Sequence, residues 1–161
     1  MRKKIVFRLS PVLAASALAA CVSDGGAPPP LPPLAEDSSR PMLALFEHVL
    51  TGYFAEAGAQ GPTVCAMLSP KPLSAEQEEA LILRFVRLAP ADRCRAAEDG
   101  TWRDAITGEV AHTVRIYDFV CREETPCAGW ASVPGRPAVR YTMRFDGGAW
   151  RFDGDPRIIA E

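Results

Sequence analysis

The chain has 161 residues and a formal charge of −2, with 48% hydrophobic and 24% charged residues. That length suits one small domain with a real core. Four of the cations, Arg2, Lys3, Lys4 and Arg8, sit at the amino end, so residues 21–161 carry −6; this acidity argues against nucleic acid or anionic lipid as the main partner.

In chain order, the basic cluster Met1-Arg2-Lys3-Lys4 precedes an apolar run to Ala20 that is interrupted by Arg8 and Pro11. The uninterrupted part, Val12 to Ala20, is well short of the roughly 20 residues that span a bilayer. A basic start, a short apolar stretch and small residues before a cleavage point describe a secretory signal peptide over residues 1–20. Leu18-Ala19-Ala20-Cys21 resembles the lipobox of bacterial lipoproteins at all four positions. The resemblance implies that the Cys21 thiol is diacylated and that Cys21 becomes the acylated amino terminus after cleavage. A single acyl chain holds a protein to a membrane only marginally, whereas two or three attach it stably. Val22 follows Cys21 where an Asp favours inner-membrane retention in that family. The implied location is therefore the outer membrane, facing the periplasm, with the membrane as partner through the lipid on Cys21.

Residues 21–40 read as a linker. Ala27-Pro28-Pro29-Pro30-Leu31-Pro32-Pro33 suits polyproline II, and at about 3.1 Å per residue the linker reaches at most roughly 60 Å. A single α+β domain is expected over 41–158. Ser39 and Pro41 suit the start of a first helix, with Met42, Leu45, Phe46, Val49, Leu50 and Tyr53 as its apolar stripe. His48 lies off that stripe and is expected to be solvated. Gly58 and Gly61-Pro62 end the helix.

Thr63–Leu68 reads as a short strand closed by Pro70 and Pro72. Ser74 and Gln77 match a capping box for a second helix. Its Glu76, Glu78 and Glu79 suit the positive helix start and need no catalytic role. Leu81, Ile82, Phe85 and Leu88 would form its buried face, and Pro90 its end. From Arg93 onward strands dominate. Cys94 starts one, Glu98-Asp99-Gly100 turns the chain, Trp102 follows in an extended segment, and Thr107-Gly108 turns again.

Ala111–Arg122 is the longest strand. Strict alternation puts His112, Val114, Ile116, Asp118 and Val120 on one face and Thr113, Arg115, Tyr117, Phe119 and Cys121 on the other. Both faces are partly apolar, so the strand should be central. Glu123–Pro126 turns the chain and Cys127–Val133 returns it. Val139, Tyr141, Met143 and Phe145 alternate with polar residues, Asp146-Gly147-Gly148 marks a hairpin, and Trp150 and Phe152 continue the buried face. Residues 109–155 thus predict a four-strand antiparallel meander with one apolar face, wrapped around the first helix. Trp102, Trp130, Tyr141, Phe145 and Trp150 are expected to fill its concave side.

Helices followed by a curved antiparallel meander ending in Gly-x-Trp-x-Phe resemble the cystatin-like and nuclear-transport-factor-like α+β domains of small exported bacterial proteins. The residues carrying that likeness are Val64-Cys65, Leu88-Ala89-Pro90 with Cys94, Asp104-Ala105-Ile106-Thr107-Gly108-Glu109 and Asp146-Gly147-Gly148-Ala149-Trp150-Arg151. The likeness implies a fold and no particular activity.

Past Cys21, the four cysteines Cys65, Cys94, Cys121 and Cys127 make an even set, which in an exported protein means disulfides with three conceivable pairings. Cys121 and Cys127 flank a hairpin connection and are paired, which leaves Cys65 with Cys94. No Cys-x-x-Cys occurs, so neither a metal site nor a redox pair is expected. Nothing calls for a cofactor.

The catalytic candidates are His112 and Asp118, with Tyr141 nearby. Six residues of strand separate His112 from Asp118 by about 20 Å, so they cannot hydrogen-bond directly. Enzymes of the nuclear-transport-factor-like fold carry acid–base residues between sheet and helices, and His112 would suit that role. There is no Gly-x-Ser-x-Gly elbow and no glycine-rich phosphate loop. Arg140, Arg144 and Arg151, with Arg115 beside them, should share the polar sheet face and would suit an acidic partner or an anionic glycan. Two functions follow. One is a non-enzymatic envelope lipoprotein that acts as an interaction module, with another envelope protein as partner. The other is a pocket protein that binds or turns over a small apolar molecule. The second needs a cavity of about 300 Å³ or more, with His112 or Asp118 facing it.

Overall fold

The computed structural model describes residues 29–58, 60–122 and 125–155. The lipobox with Cys21, the turn at Glu123–Glu124 and the expected domain end at 156–158 lie outside the described residues.

The folded unit begins at Leu31, not at residue 41. Leu34–Glu36 forms a 3-10 turn whose Leu34 is buried in the main core. Hydrogen bonds hold this segment in place. Ala35 N–H donates to Glu47 Oε2 (3.2 Å), Arg84 Nη2 to the Pro32 carbonyl (3.0 Å) and Trp150 Nε1 to the Asp37 carbonyl (2.9 Å). The proline-rich composition hides one apolar anchor, and that anchor makes the end of the expected linker part of the fold.

Helix α1 spans Pro41–Ala57 with Pro41 in its first turn, where a missing N–H costs nothing. Its N-cap is Arg40, not Ser39. The Ser39 N–H and Oγ both donate to Asp37 Oδ1 (2.9 and 2.6 Å), which occupies the side chain before the helix begins. Leu43, Ala44, Leu45, Phe46, Val49 and Leu50 are buried, a wider stripe than expected. Gly58 ends the helix at φ +69°, a left-handed conformation that glycine adopts without penalty.

Strand β1 (Thr63–Ser69) leads into helix α2 (Ala75–Ile82), which carries the capping box in full. Gln77 N–H donates to Ser74 Oγ (3.3 Å), and Ser74 N–H donates to Gln77 Oε1 (2.9 Å). Helix α2 stops at Ile82, well short of Pro90. Leu88–Ala89 instead forms strand β2, parallel to β1 with Val64 opposite Leu88. Sheet pairing that buries both residues overrides their helical spacing. Parallel neighbours need a crossover, and α2 is that crossover.

Strands β3 (Cys94–Ala96) and β4 (Trp102–Asp104) pair with each other as a separate small sheet. Strands β5 (Ala111–Arg122), β6 (Thr125–Ser132), β7 (Val139–Asp146) and β8 (Ala149–Asp155) make the expected antiparallel meander. The large sheet runs β2-β1-β5-β6-β7-β8. Strand β1 is parallel to β5, so the sheet is mixed rather than wholly antiparallel, and β5 is indeed interior. The class is α+β.

The inner face of this sheet packs on α1. Val64, Ala66, Val114, Ile116, Cys127, Ala131 and Met143 join Leu45, Phe46, Val49 and Leu50 in one cluster. Strand β5 does not alternate strictly. Tyr117 pairs with Trp130 and Val120 with Ala128, so Asp118 and Phe119 together oppose Gly129. Asp118 sits at φ +51°, a left-handed position that Asp tolerates better than most residues. This bulge switches the faces. Phe119 turns inward onto the core, and Asp118 and Val120 do not continue the His112 face. Gly129 is required here, because a Cβ would stand 2.8 Å from Phe119 Cδ2.

Two tryptophans expected in the concave core lie elsewhere. Trp130 is on the outer face, its ring parallel to Tyr117 at 6.2 Å. Trp102 packs with Cys65, Ala89, Cys94 and Ala111 in a second cluster on the outer side of β1. Tyr141 and Trp150 pack on the main core, while Phe145 stays 40% exposed.

Candidate functional site

The structure does not bring His112, Asp118 and Tyr141 together. His112 follows the inner-face parity of Val114 and shares a 2.5 Å hydrogen bond with the Tyr53 hydroxyl through Nδ1. Burial holds its pKa below the usual imidazole value and raises that of Tyr53, which the nearby Arg87 cation partly offsets. Asp118 is exposed on the opposite face. Tyr141 packs edge-on against His48 (ring centroids 5.6 Å apart), and burial raises its pKa. His48 is exposed, as expected for a residue off the stripe, yet it is not simply solvated. It stacks on Phe152 at 4.3 Å, and the partial loss of water around the stacked ring lowers its pKa.

A cleft of about 250 Å³ lies between α1 and the sheet, lined by Val49, Tyr53, Val133, Arg136 and Tyr141 among others. Arg136 reaches across its mouth to Glu56 on α1. Neither His112 nor Asp118 lines it.

The outer face of β5–β8 is a different kind of surface. Register places Arg115, Tyr117, Val120 and Arg122 of β5 there, with Ala128 and Trp130 of β6, Arg140, Thr142 and Arg144 of β7, and Arg151, Asp153 and Asp155 of β8. A hollow of about 460 Å³ is lined by Asp118, Val120, Arg122, Ala128, Trp130, Arg140 and Thr142. A second, of about 260 Å³, shares Pro126 and Thr142 with it and is lined by Arg144, Arg151 and Asp153 together with Met143 and Phe152 of the core. Ala128 keeps the floor of the first low between taller neighbours. Among the described residues, no salt bridge engages Arg115, Arg122, Arg140, Arg144 or Arg151.

This open area has a stapled border. The β3–β4 flap covers the outer side of β1 and is tied there by the Cys65–Cys94 disulfide. Buried Asp104 closes the flap. It accepts from Arg93 Nε and Nη2 (2.9 and 2.7 Å), Thr63 Oγ1 (2.6 Å) and Ile106 N–H (2.9 Å), and these bonds hold its carboxyl far below the usual carboxylate range. Cys121–Cys127, the other pair singled out by spacing, bridges β5 to β6, with Cys127 buried in the main core.

Sequence reasoning found Arg115, Arg140, Arg144 and Arg151 but missed Arg122 and Trp130, because strict alternation ignores the bulge. An Asp flanked by two aromatics, Tyr117-Asp118-Phe119, facing a lone Gly129 was the available signal. It missed Tyr53 as the partner of His112, because that contact joins residues 59 apart in sequence. Among the described residues no three of His, Cys, Asp or Glu converge as a metal site would require, and no helix is long and apolar enough to cross a membrane. Comparison with protein-family models, with curated proteins and with solved structures finds no match.

Proposed function

We propose that this chain is a lipid-anchored protein of the bacterial cell envelope whose folded unit is a binding module rather than an enzyme. The observation that carries the binding role is the open outer face of β5–β8, where Arg122 and Arg140 line one hollow, Arg144 and Arg151 line the next, and no salt bridge among the described residues engages these four or Arg115. The anchor rests on Leu18-Ala19-Ala20-Cys21 behind a basic, then apolar, start, and Val22 favours the outer membrane, facing the periplasm. Two disulfides fit an oxidising compartment. The order of α1 followed by an antiparallel meander supports a cystatin-like reading of the unit, with parallel β1 and β2 as additions to it. In cell fractionation, the wild-type chain should sediment with membranes and Cys21→Ser should be soluble. A variant that stays with the membranes contradicts the anchor.

One observation favours a second reading, a small-molecule binder or acid–base enzyme. The cleft under α1 presents Tyr53 and Tyr141, and Tyr53 is paired with His112. Native mass spectrometry of the protein secreted to a periplasm decides. A co-purifying small molecule supports this reading, and a bare chain argues against it.

A further inference from the structure

We infer that the trough on the outer face of β5–β8 binds a carboxylated glycan chain. The inference rests on the binding-module reading above and names its ligand class.

The shape comes first. The two adjoining hollows share Pro126 and Thr142 and together touch all four strands. Strands lie about 4.8 Å apart, so the trough is roughly 14 Å across the sheet. That suits an extended oligomer better than a single small anion.

The charge comes second. Arg122 and Arg140 line one hollow, and Arg144 and Arg151 line the other. Arg144 stands directly opposite Arg151 in the β7–β8 register. Like charges at directly opposed positions weaken a strand pair. The sheet therefore keeps a repulsive pair where a neutral or acidic residue would serve folding better. A bound carboxylate removes that cost, because guanidinium groups take carboxylates through paired, charge-assisted hydrogen bonds. Residues 21–161 carry −6 with this face included, so its arginines stand out against an otherwise acidic chain.

The contacts other than the arginines separate a glycan from an acidic polypeptide. Trp130 and Tyr117 present parallel rings beside the arginines, with 6° between their planes. An aromatic face is a flat apolar platform that suits the C–H side of a sugar ring. Asp118 and Thr142 line the same hollow, and Asp153 lines the next. Carboxylate and hydroxyl oxygens there accept from sugar hydroxyls. A polycarboxylate peptide offers these oxygens no side-chain hydroxyls and offers the aromatic rings no sugar face, while Asp118 and Asp153 repel the carboxylates of either ligand alike.

The test is calorimetric titration of the whole exported chain in detergent. The probes are two carboxylated glycans, polygalacturonate and hyaluronate, with neutral dextran and poly-L-glutamate as comparisons. At least one carboxylated glycan should bind, more weakly as salt rises, while dextran should not bind and poly-L-glutamate should bind about tenfold more weakly or less. The exposed double variant Arg122→Gln/Arg140→Gln should lower glycan affinity about tenfold or more with an unchanged circular dichroism spectrum. Trp130→Leu should also weaken glycan binding. Failure of both glycans to bind overturns the inference. So does equal binding of poly-L-glutamate with no effect of Trp130→Leu, which would make the face a dock for acidic polypeptides. This titration does not depend on acylation at Cys21, so it fails separately from the fractionation test.

Discussion

The two faces of the large sheet use the same strands for opposite ends. The inner face is apolar from β1 to β8 and is covered by α1, with Val64, Val114 and Ile116 fully buried. The outer face is covered only near β1, where the β3–β4 flap packs on Cys65 and Ala111. Past the flap it carries arginines, two stacked aromatics and small residues that leave hollows. Packing accounts for every inner residue named above. It does not account for the outer arginines, and their arrangement costs stability at Arg144 and Arg151. Residues that folding does not explain are where function is to be sought.

The largest effect should come from the inner face. Phe46 is fully buried in the main core, and Phe46→Ala should destabilise by about 3–5 kcal/mol in urea titration. A loss below about 1 kcal/mol would show that α1 does not seal that face. Next is the border between covered and open areas. Removing the Cys65–Cys94 bridge, which spans 29 residues, should cost about 3–4 kcal/mol in the chain-entropy model. Removing Cys121–Cys127, which spans 6, should cost less, about 2 kcal/mol. Denaturation of each double Cys→Ser variant checks the order.

A smaller effect is pH-dependent. Burial lowers the pKa of His48 and of His112 from the ordinary 6.5. The unfolded chain then binds protons more readily, so their contribution is fully present above about pH 6.5 and is lost as pH falls through the lowered values. Melting temperature should therefore drop between pH 7 and pH 5, and His48→Gln/His112→Gln should flatten that drop. The smallest effect belongs to the outer face and has the opposite sign. Arg151→Glu should stabilise by about 0.2–1 kcal/mol by pairing with Arg144. A clear destabilisation would mean that Arg151 has a folding role.

Much of the inner face was legible in the sequence. The alternation of Val139–Phe145, the Asp146-Gly147-Gly148 turn and the Ser74–Gln77 capping box are local signals, and the structure contains each of them. What stayed hidden depends on partners remote in sequence. Parallel pairing of β1 with β5 cannot be read from β1 alone, although the near-continuous apolar run Val64–Leu68 suits a strand covered on both sides. Leu34 looked like linker because the partners of its turn lie on α1 and β8, remote in sequence. The bulge at Asp118 is one extra residue, yet it reverses the facing of everything after it in β5. That single shift hid Arg122 and separated Asp118 from His112.

The most direct test is photo-crosslinking in the native cell. A photoreactive residue is placed at Thr142, central to the outer face, and in a second strain at Val86, which is fully exposed on the α2–β2 connection. Abundant crosslinks to envelope material are expected from position 142 and few from position 86. Equal yields from both positions, or crosslinks from 86 alone, would contradict a working outer face.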